Sequence, residues 1–166
     1  MTSAIPGESH GIVQSINVSD GGVPKLPTPW AHVRTTGVEG DRQEDRRFHG
    51  GPDRAICLYS ADLIEALQGE GHPIRAGTIG ENLTLAGVDW TAVRPDARLE
   101  IGDVLLEITS STSPCKKIAQ SFKDDDFTRV SQKVNPGWSR FYARVIREGI
   151  VTVGDRVVLK SPALLF

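Results

Sequence analysis

The sequence predicts a mainly β chain built from short strands, with helices few and brief, and three observations carry that reading. The run Gly11-Ile12-Val13-Gln14-Ser15-Ile16-Asn17-Val18 alternates as a half-buried strand does, and Asp20-Gly21-Gly22 breaks it. An apolar-Gly-Asp-apolar pattern recurs as Ile101-Gly102-Asp103-Val104 and Val153-Gly154-Asp155-Arg156-Val157. Each copy sits in a β-rich stretch, Leu99 to Thr109 and Ile150 to Lys160, as a tight turn or strand entry in a barrel would. Helical periodicity, finally, is confined to three short segments.

In chain order, Leu26 to Pro29 reads as proline-rich loop, and Trp30 to Thr35 resumes as a strand. Ala55-Ile56-Cys57-Leu58-Tyr59 is the apolar run of a buried strand, where Cys57 acts as a small hydrophobe. Ser60 can cap a helix over Ala61 to Gln68, with Leu63, Ile64 and Leu67 as its apolar face and Gly69 or Gly71 as its stop. Ser113 and Pro114 suit the N-cap and first position of a second helix, Cys115 to Phe122. Asp124, Asp125 and Asp126 precede a third, Phe127 to Val134, ended by Asn135-Pro136-Gly137. The aspartate run reads as an acidic helix start on a solvated surface rather than a metal site. In the last third, Phe141, Ala143 and Val145 share one strand face, and Arg140, Tyr142 and Arg144 share the other.

The 166 residues fit one domain, 1–166, with a core from about 11 to 160. A net charge of −2 argues against a general nucleic-acid binder. No apolar stretch approaches the roughly 18 residues of a membrane helix. Met1 to His10 lacks the basic and apolar regions of a secretory signal. With two cysteines and no export signal, a reducing cytoplasm is expected and a disulfide framework is not. Nucleotide loops of the Gly-x-x-x-x-Gly-Lys and Gly-x-Gly-x-x-Gly types are absent, as are Cys-x-x-Cys and His-Glu-x-x-His metal patterns.

The chemistry centres on Cys115 in Thr112-Ser113-Pro114-Cys115-Lys116-Lys117. In the first turn of a helix, backbone N–H groups, the positive dipole end and two lysines would favour a thiolate, the form that attacks electrophiles and binds metals. An inert cysteine at a helix start is the competing reading. A loop from Gly37 to Arg54 adds glycines, Arg42, Arg46, Arg47, Arg54 and His49. Its arginines suit phosphate or carboxylate, although salt bridges to Glu39, Asp41, Glu44, Asp45 and Asp53 account for most of them. His49 can carry protons, bind metal or brace the loop. Gly80-Glu81-Asn82 places a carboxylate beside an amide on a turn, a pair that can read the edge of a heterocycle.

In this order the loops resemble the MOSC domain, the module named for the C-terminal part of molybdenum-cofactor sulfurases, from about Gly11 to Lys160. The carriers are Gly40-Asp41, His49-Gly50-Gly51-Pro52-Asp53-Arg54-Ala55, Gly80-Glu81-Asn82-Leu83, Ile101-Gly102-Asp103, Ser113-Pro114-Cys115-Lys116-Lys117, and Gly149 with Gly154-Asp155. Small stand-alone bacterial members are the most similar. The resemblance implies a twisted, partly closed β-barrel with peripheral helices. It implies the molybdenum cofactor (molybdopterin) with Cys115 as metal ligand, and reduction of N-hydroxylated small molecules. A soft thiolate suits a metal that already carries sulfur. Pyridoxal phosphate, which serves a separate desulfurase domain in fused sulfurases, is not expected.

On this reading Cys115 and His49 are catalytic, and Arg54, Gly80, Glu81, Asn82, Lys117, Arg140 and Arg144 contact the cofactor. Arg54 and Lys117 are the preferred phosphate or oxyanion contacts. An electron-donor protein or reductase is the expected partner, with no nucleic acid or membrane. The alternative is a persulfide sulfur carrier, or a cofactor-binding and delivery module, using the same Cys115.

Overall fold

A computed structural model describes residues 8–42 and 51–162. Its centre is a closed seven-stranded β-barrel. The strands are β1 (Glu8–Val18), β5 (Ile56–Ser60), β6 (Leu83–Ala86), β7 (Arg98–Ile101), β8 (Val104–Ser111), β9 (Phe141–Arg147) and β11 (Arg156–Lys160), joined in the order β1-β11-β7-β8-β9-β5-β6. The pairing of β11 with β1, Glu8 opposite Lys160 through Ile12 opposite Arg156, seals the ring. The barrel is therefore fully closed, where the sequence implied partial closure.

Local chemistry accounts for most of the strands. Val13 and Ile16 of β1 are fully buried, and a bulge between Val13 and Ser15 bends the strand so that it can serve β11, β6 and the short β2 (Leu26–Thr28). The stretch expected as proline-rich loop thus pairs, because a three-residue edge strand tolerates the missing proline donor. The β7–β8 hairpin turns at Gly102-Asp103, with Gly102 at φ +58. The second Gly-Asp copy separates β10 (Gly149–Thr152) from β11, but these strands belong to different sheets. With β3 (Trp30–Arg34) and β4 (Gly37–Val38), β10 forms a small antiparallel sheet beside the barrel.

One α-helix, α1 (Ala61–Gly69), links β5 to the parallel strand β6. Ser60 Oγ accepts from Leu63 N, the expected cap, and Ile64 and Leu67 are buried beneath it. The other two expected helices are shorter. Lys116–Ser121 is a 3-10 helix, and Phe127–Val130 is a single 3-10 turn rather than a helix to Val134. Asp124, Asp125 and Asp126 are exposed, as a solvated run should be. Barrel side chains such as Leu58, Leu83, Leu99, Leu106, Ile108, Ala143 and Leu159 fill one apolar core. No helix among the described residues is long and apolar enough to cross a membrane.

Candidate functional site

At one end of the barrel the loops after β1, β8 and α1 meet the β5–β9 pair around an open cleft. Beyond β8, Thr112 N still donates to Arg140 O at 3.0 Å, which prolongs the ladder past the last assigned strand residue. The chain then stays extended to Cys115 (φ −142, ψ 174), and helical geometry starts only at Lys116. Cys115 is thus the residue that precedes a six-residue 3-10 helix, with no side-chain capping hydrogen bond. This corrects the expected helix from Cys115 to Phe122. Ser113 and Pro114 carry no assigned secondary structure, and so short a turn accumulates little dipole. Cys115 is exposed at the cleft, with Ile118 and Lys117 beside it.

The facing wall is Gly22, Val23, Lys25, Arg42, Gly80 and Asn82. Behind it lies a connected polar layer. Lys25 Nζ donates to both oxygens of Asp41 at 2.7 Å, and Asp41 also accepts from Ser19 N and from Asn82 Nδ2 at 2.9 Å each. Asn82 Oδ1 accepts from Cys57 N at 3.0 Å. Asn17 Nδ2 donates to Thr84 Oγ1 (3.0 Å), which donates to Glu81 Oε2 (3.1 Å), while Gly77 N donates to Glu81 Oε1 (3.0 Å). Gly77 is at φ +83, and a Cβ there would lie 2.2 Å from Lys25 O, so only glycine lets the two loops pack this closely.

Glu81 is fully buried within that layer, and burial pushes its carboxyl up to about 7 against opposing hydrogen bonds from Gly77 and Thr84. It therefore does not face the cleft, in contrast to its expected role as a cofactor contact. Its neighbour Asn82 does line the cleft, but its amide is bonded within the protein.

The floor is formed by Cys57, Tyr142 and Arg140, with Cys57 and Tyr142 directly opposite across β5 and β9. Cys57 is a buried strand cysteine, as expected, and it also borders the cleft. Arg144, expected beside Arg140, lies elsewhere. It pairs with Glu107 at 2.9 Å and Asp53 at 3.8 Å on an exposed face, because four strand residues span roughly 13 Å and carry it out of the site. Arg54 is exposed in the 3-10 turn Pro52–Arg54 and sits 5.5 Å over the ring of Tyr142, outside the lining. His49, Arg46 and Arg47 lie outside the described residues. The structure thus brings Gly80, Asn82, Lys117 and Arg140 to the same cleft as Cys115. It adds Lys25 and Cys57, which were not assigned to a site from sequence, and Arg42 and Tyr142, whose segments were expected beside Cys115 without either being singled out as a contact. Of these, Tyr142 was readable from its strand alternation and Arg42 from its loop, whereas nothing local marks Lys25.

The donor set suits a bulky anion that carries soft-metal chemistry. Four cationic side chains line the cleft, Lys25, Arg42, Lys117 and Arg140, and no carboxylate does so among the described residues. No group of three His, Cys, Asp or Glu side chains that could hold a metal occurs among the described residues. A metal at Cys115 would therefore bring most of its ligands with it, as a dithiolene-bound metal does.

A closed β-barrel with an exposed cysteine at the mouth of a cationic cleft is the class that fold and site define. The family described as MOSC domain matches residues 45–158, and the chain belongs to that family. Among curated proteins it is similar to the uncharacterized YflK of Bacillus subtilis (strain 168), 32% identical over 124 residues, covering 74% of this chain and 55% of YflK. Protein YiiM of Escherichia coli (strain K12) is 30% identical over 107 residues, covering 61% of this chain and 48% of YiiM. A protein named Reductase from Gibberella moniliformis (strain M3125 / FGSC 7600) is 31% identical over 130 residues, 75% of this chain and 22% of that protein. The chain thus spans about half the length of the first two relatives. Among solved structures, YiiM from Geobacillus stearothermophilus superposes with a TM-score of 0.69 at 28% identity, over 90% of this chain and 74% of that one.

Proposed function

We propose that this chain binds the molybdenum cofactor in the cleft through Cys115 and reduces N-hydroxylated small molecules. The observation that carries the reading is an exposed cysteine in a cationic, carboxylate-free cleft of a MOSC barrel. When bound, the cofactor supplies the two-electron couple that takes oxygen from an N–OH group and releases it as water.

The chain's own residues supply the setting. Cys115 Sγ would hold the metal, from the residue just before a 3-10 helix that is anchored through buried Ile118. Gly80 brings backbone close to the ligand, and the paired layer behind Asn82 keeps that wall rigid. Lys117 and Arg140 offset the ligand's negative charge. His49 is the proposed proton donor, and an electron-donor protein or reductase the proposed partner.

Cys115→Ala should reduce turnover of an N-hydroxylated amidine to background while the barrel stays folded by circular dichroism; retained turnover with molybdenum still bound rejects the reading. The exposure of Cys115 also supports the alternative, a persulfide carrier or delivery module. That reading predicts a stable mass gain of one sulfur on Cys115 after incubation with a cysteine desulfurase, without molybdenum or turnover.

A further inference from the structure

Arg140 on the cleft floor, and Thr112 just beneath the lining beside it, hold buried polar atoms that find no partner. Thr112 is 2% exposed and Arg140 6%. Among the described residues, Thr112 Oγ1 and Arg140 Nε make no hydrogen bond. Native proteins seldom leave such groups unpaired, and a buried guanidinium N–H is among the costlier ones to leave so.

These atoms belong to firmly held residues. Arg140 Nη1 donates to Ile79 O at 2.7 Å, which ties one edge of the guanidinium fork to the wall and leaves the Nε edge over. Thr112 N donates to Arg140 O at 3.0 Å, so the two residues sit side by side where β8 and β9 end. Thr112 Oγ1 lies beside the Cys57 thiol and the Tyr142 hydroxyl, near enough to favour their ionised forms slightly, but in hydrogen-bond geometry with neither.

No carboxylate lines the cleft, and one of its cations, Lys25, is met by Asp41 behind the wall. Burial pushes the Cys57 thiol up and the Tyr142 phenol up to about 12, so both are neutral near pH 7. Lys25, Arg42 and Lys117 stand on the walls. The nearby carboxylates, Asp41 and Glu81, lie behind the wall and are bonded there. An arginine fork with a hydroxyl at hand and no acid in the cleft lining is an arrangement that favours oxyanions.

We propose that the cleft floor is an oxyanion subsite in which the Nε edge of Arg140, with the Thr112 hydroxyl available to the same group, binds the charged oxygens of a ligand lying beside Cys115. This assignment needs no metal at Cys115. The oxyanion belongs either to the phosphate of a large ligand that fills the cleft or to a carboxylate-bearing small molecule, and both present the same chemistry.

Isothermal titration of the cofactor-free full chain with inorganic phosphate and, separately, with benzoate tests it. At least one probe should bind, and Arg140→Lys, which keeps the charge but loses the fork, should weaken that binding tenfold or more. Thr112→Val, which is nearly isosteric, should weaken it severalfold with an unchanged melting temperature. Phosphate bound tenfold tighter than benzoate assigns the subsite to the larger ligand's phosphate, and the reverse assigns it to a carboxylate substrate. Binding of neither probe, or equal binding by the parent and both variants, overturns the proposal. Phosphate binding through Arg140 by a chain that takes up no molybdenum in a cofactor-competent host would contradict the Cys115 reading alone, so the two fail separately.

Discussion

Two polar layers meet at the cleft, and they differ in whether their groups are paired. Behind one wall, Asp41, Lys25, Asn82, Asn17, Thr84 and Glu81 exchange hydrogen bonds in an unbroken chain. At the floor, Arg140 and the adjoining Thr112 each keep a buried atom without a partner. A satisfied buried network fixes structure, whereas unsatisfied groups beside a cavity mark where a ligand completes it. The first layer is therefore scaffold for the cleft, and the second belongs to what the cleft holds.

The sharpest way to break this division is to cut the paired layer. Asp41→Ala strands Lys25 at 8% side-chain exposure with an unpaired charge and removes an acceptor from Asn82 and Ser19. Loss of one partner of a buried ion pair costs about 3–5 kcal/mol, to be read as a lower denaturation midpoint in urea. A cost under about 1 kcal/mol would show that the layer is not the scaffold claimed.

The pH dependence of stability gives the next largest effect. Glu81 titrates at about 7 in the fold, against 4.5 as its ordinary value, because burial disfavours its charged form. The folded state therefore holds more protons than the unfolded state between those values, so stability falls as pH rises from about 4.5 to 7. The full contribution is on the order of 3 kcal/mol. Glu81→Gln should flatten the decline over that window in urea titrations at stepped pH. An unchanged slope would show that Glu81 titrates normally.

The smallest effect separates Arg144 from Arg140. Arg144→Ala removes an exposed pair with Glu107 and should cost less than about 1 kcal/mol without altering ligand binding. Altered phosphate affinity in this variant would return Arg144 to the site.

These residues also show what the sequence could and could not reveal. The alternation of β1, the Gly102-Asp103 hairpin and the Ser60 cap are local signals, and each became the element it announced. Barrel closure depends on β1 meeting β11 from the far end of the chain, and no local pattern encodes that pairing. Ser113-Pro114 reads as a cap that starts a helix at Cys115, yet Cys115 is itself the extended cap residue and helical geometry starts only at Lys116. Glu81 and Asn82 are adjacent in sequence, yet one is sealed behind the wall and the other lines it. Lys25 became visible as a cleft residue only through its pairing with Asp41, a contact between two loops.

The most direct test of the central claim is molybdenum content. The chain and Cys115→Ala should be purified from a host able to make the cofactor and compared by elemental analysis. The account predicts near-stoichiometric molybdenum in the parent chain and a large loss in Cys115→Ala, with Arg144→Ala matching the parent. Equal molybdenum in the parent and Cys115→Ala, or none in the parent, would contradict it.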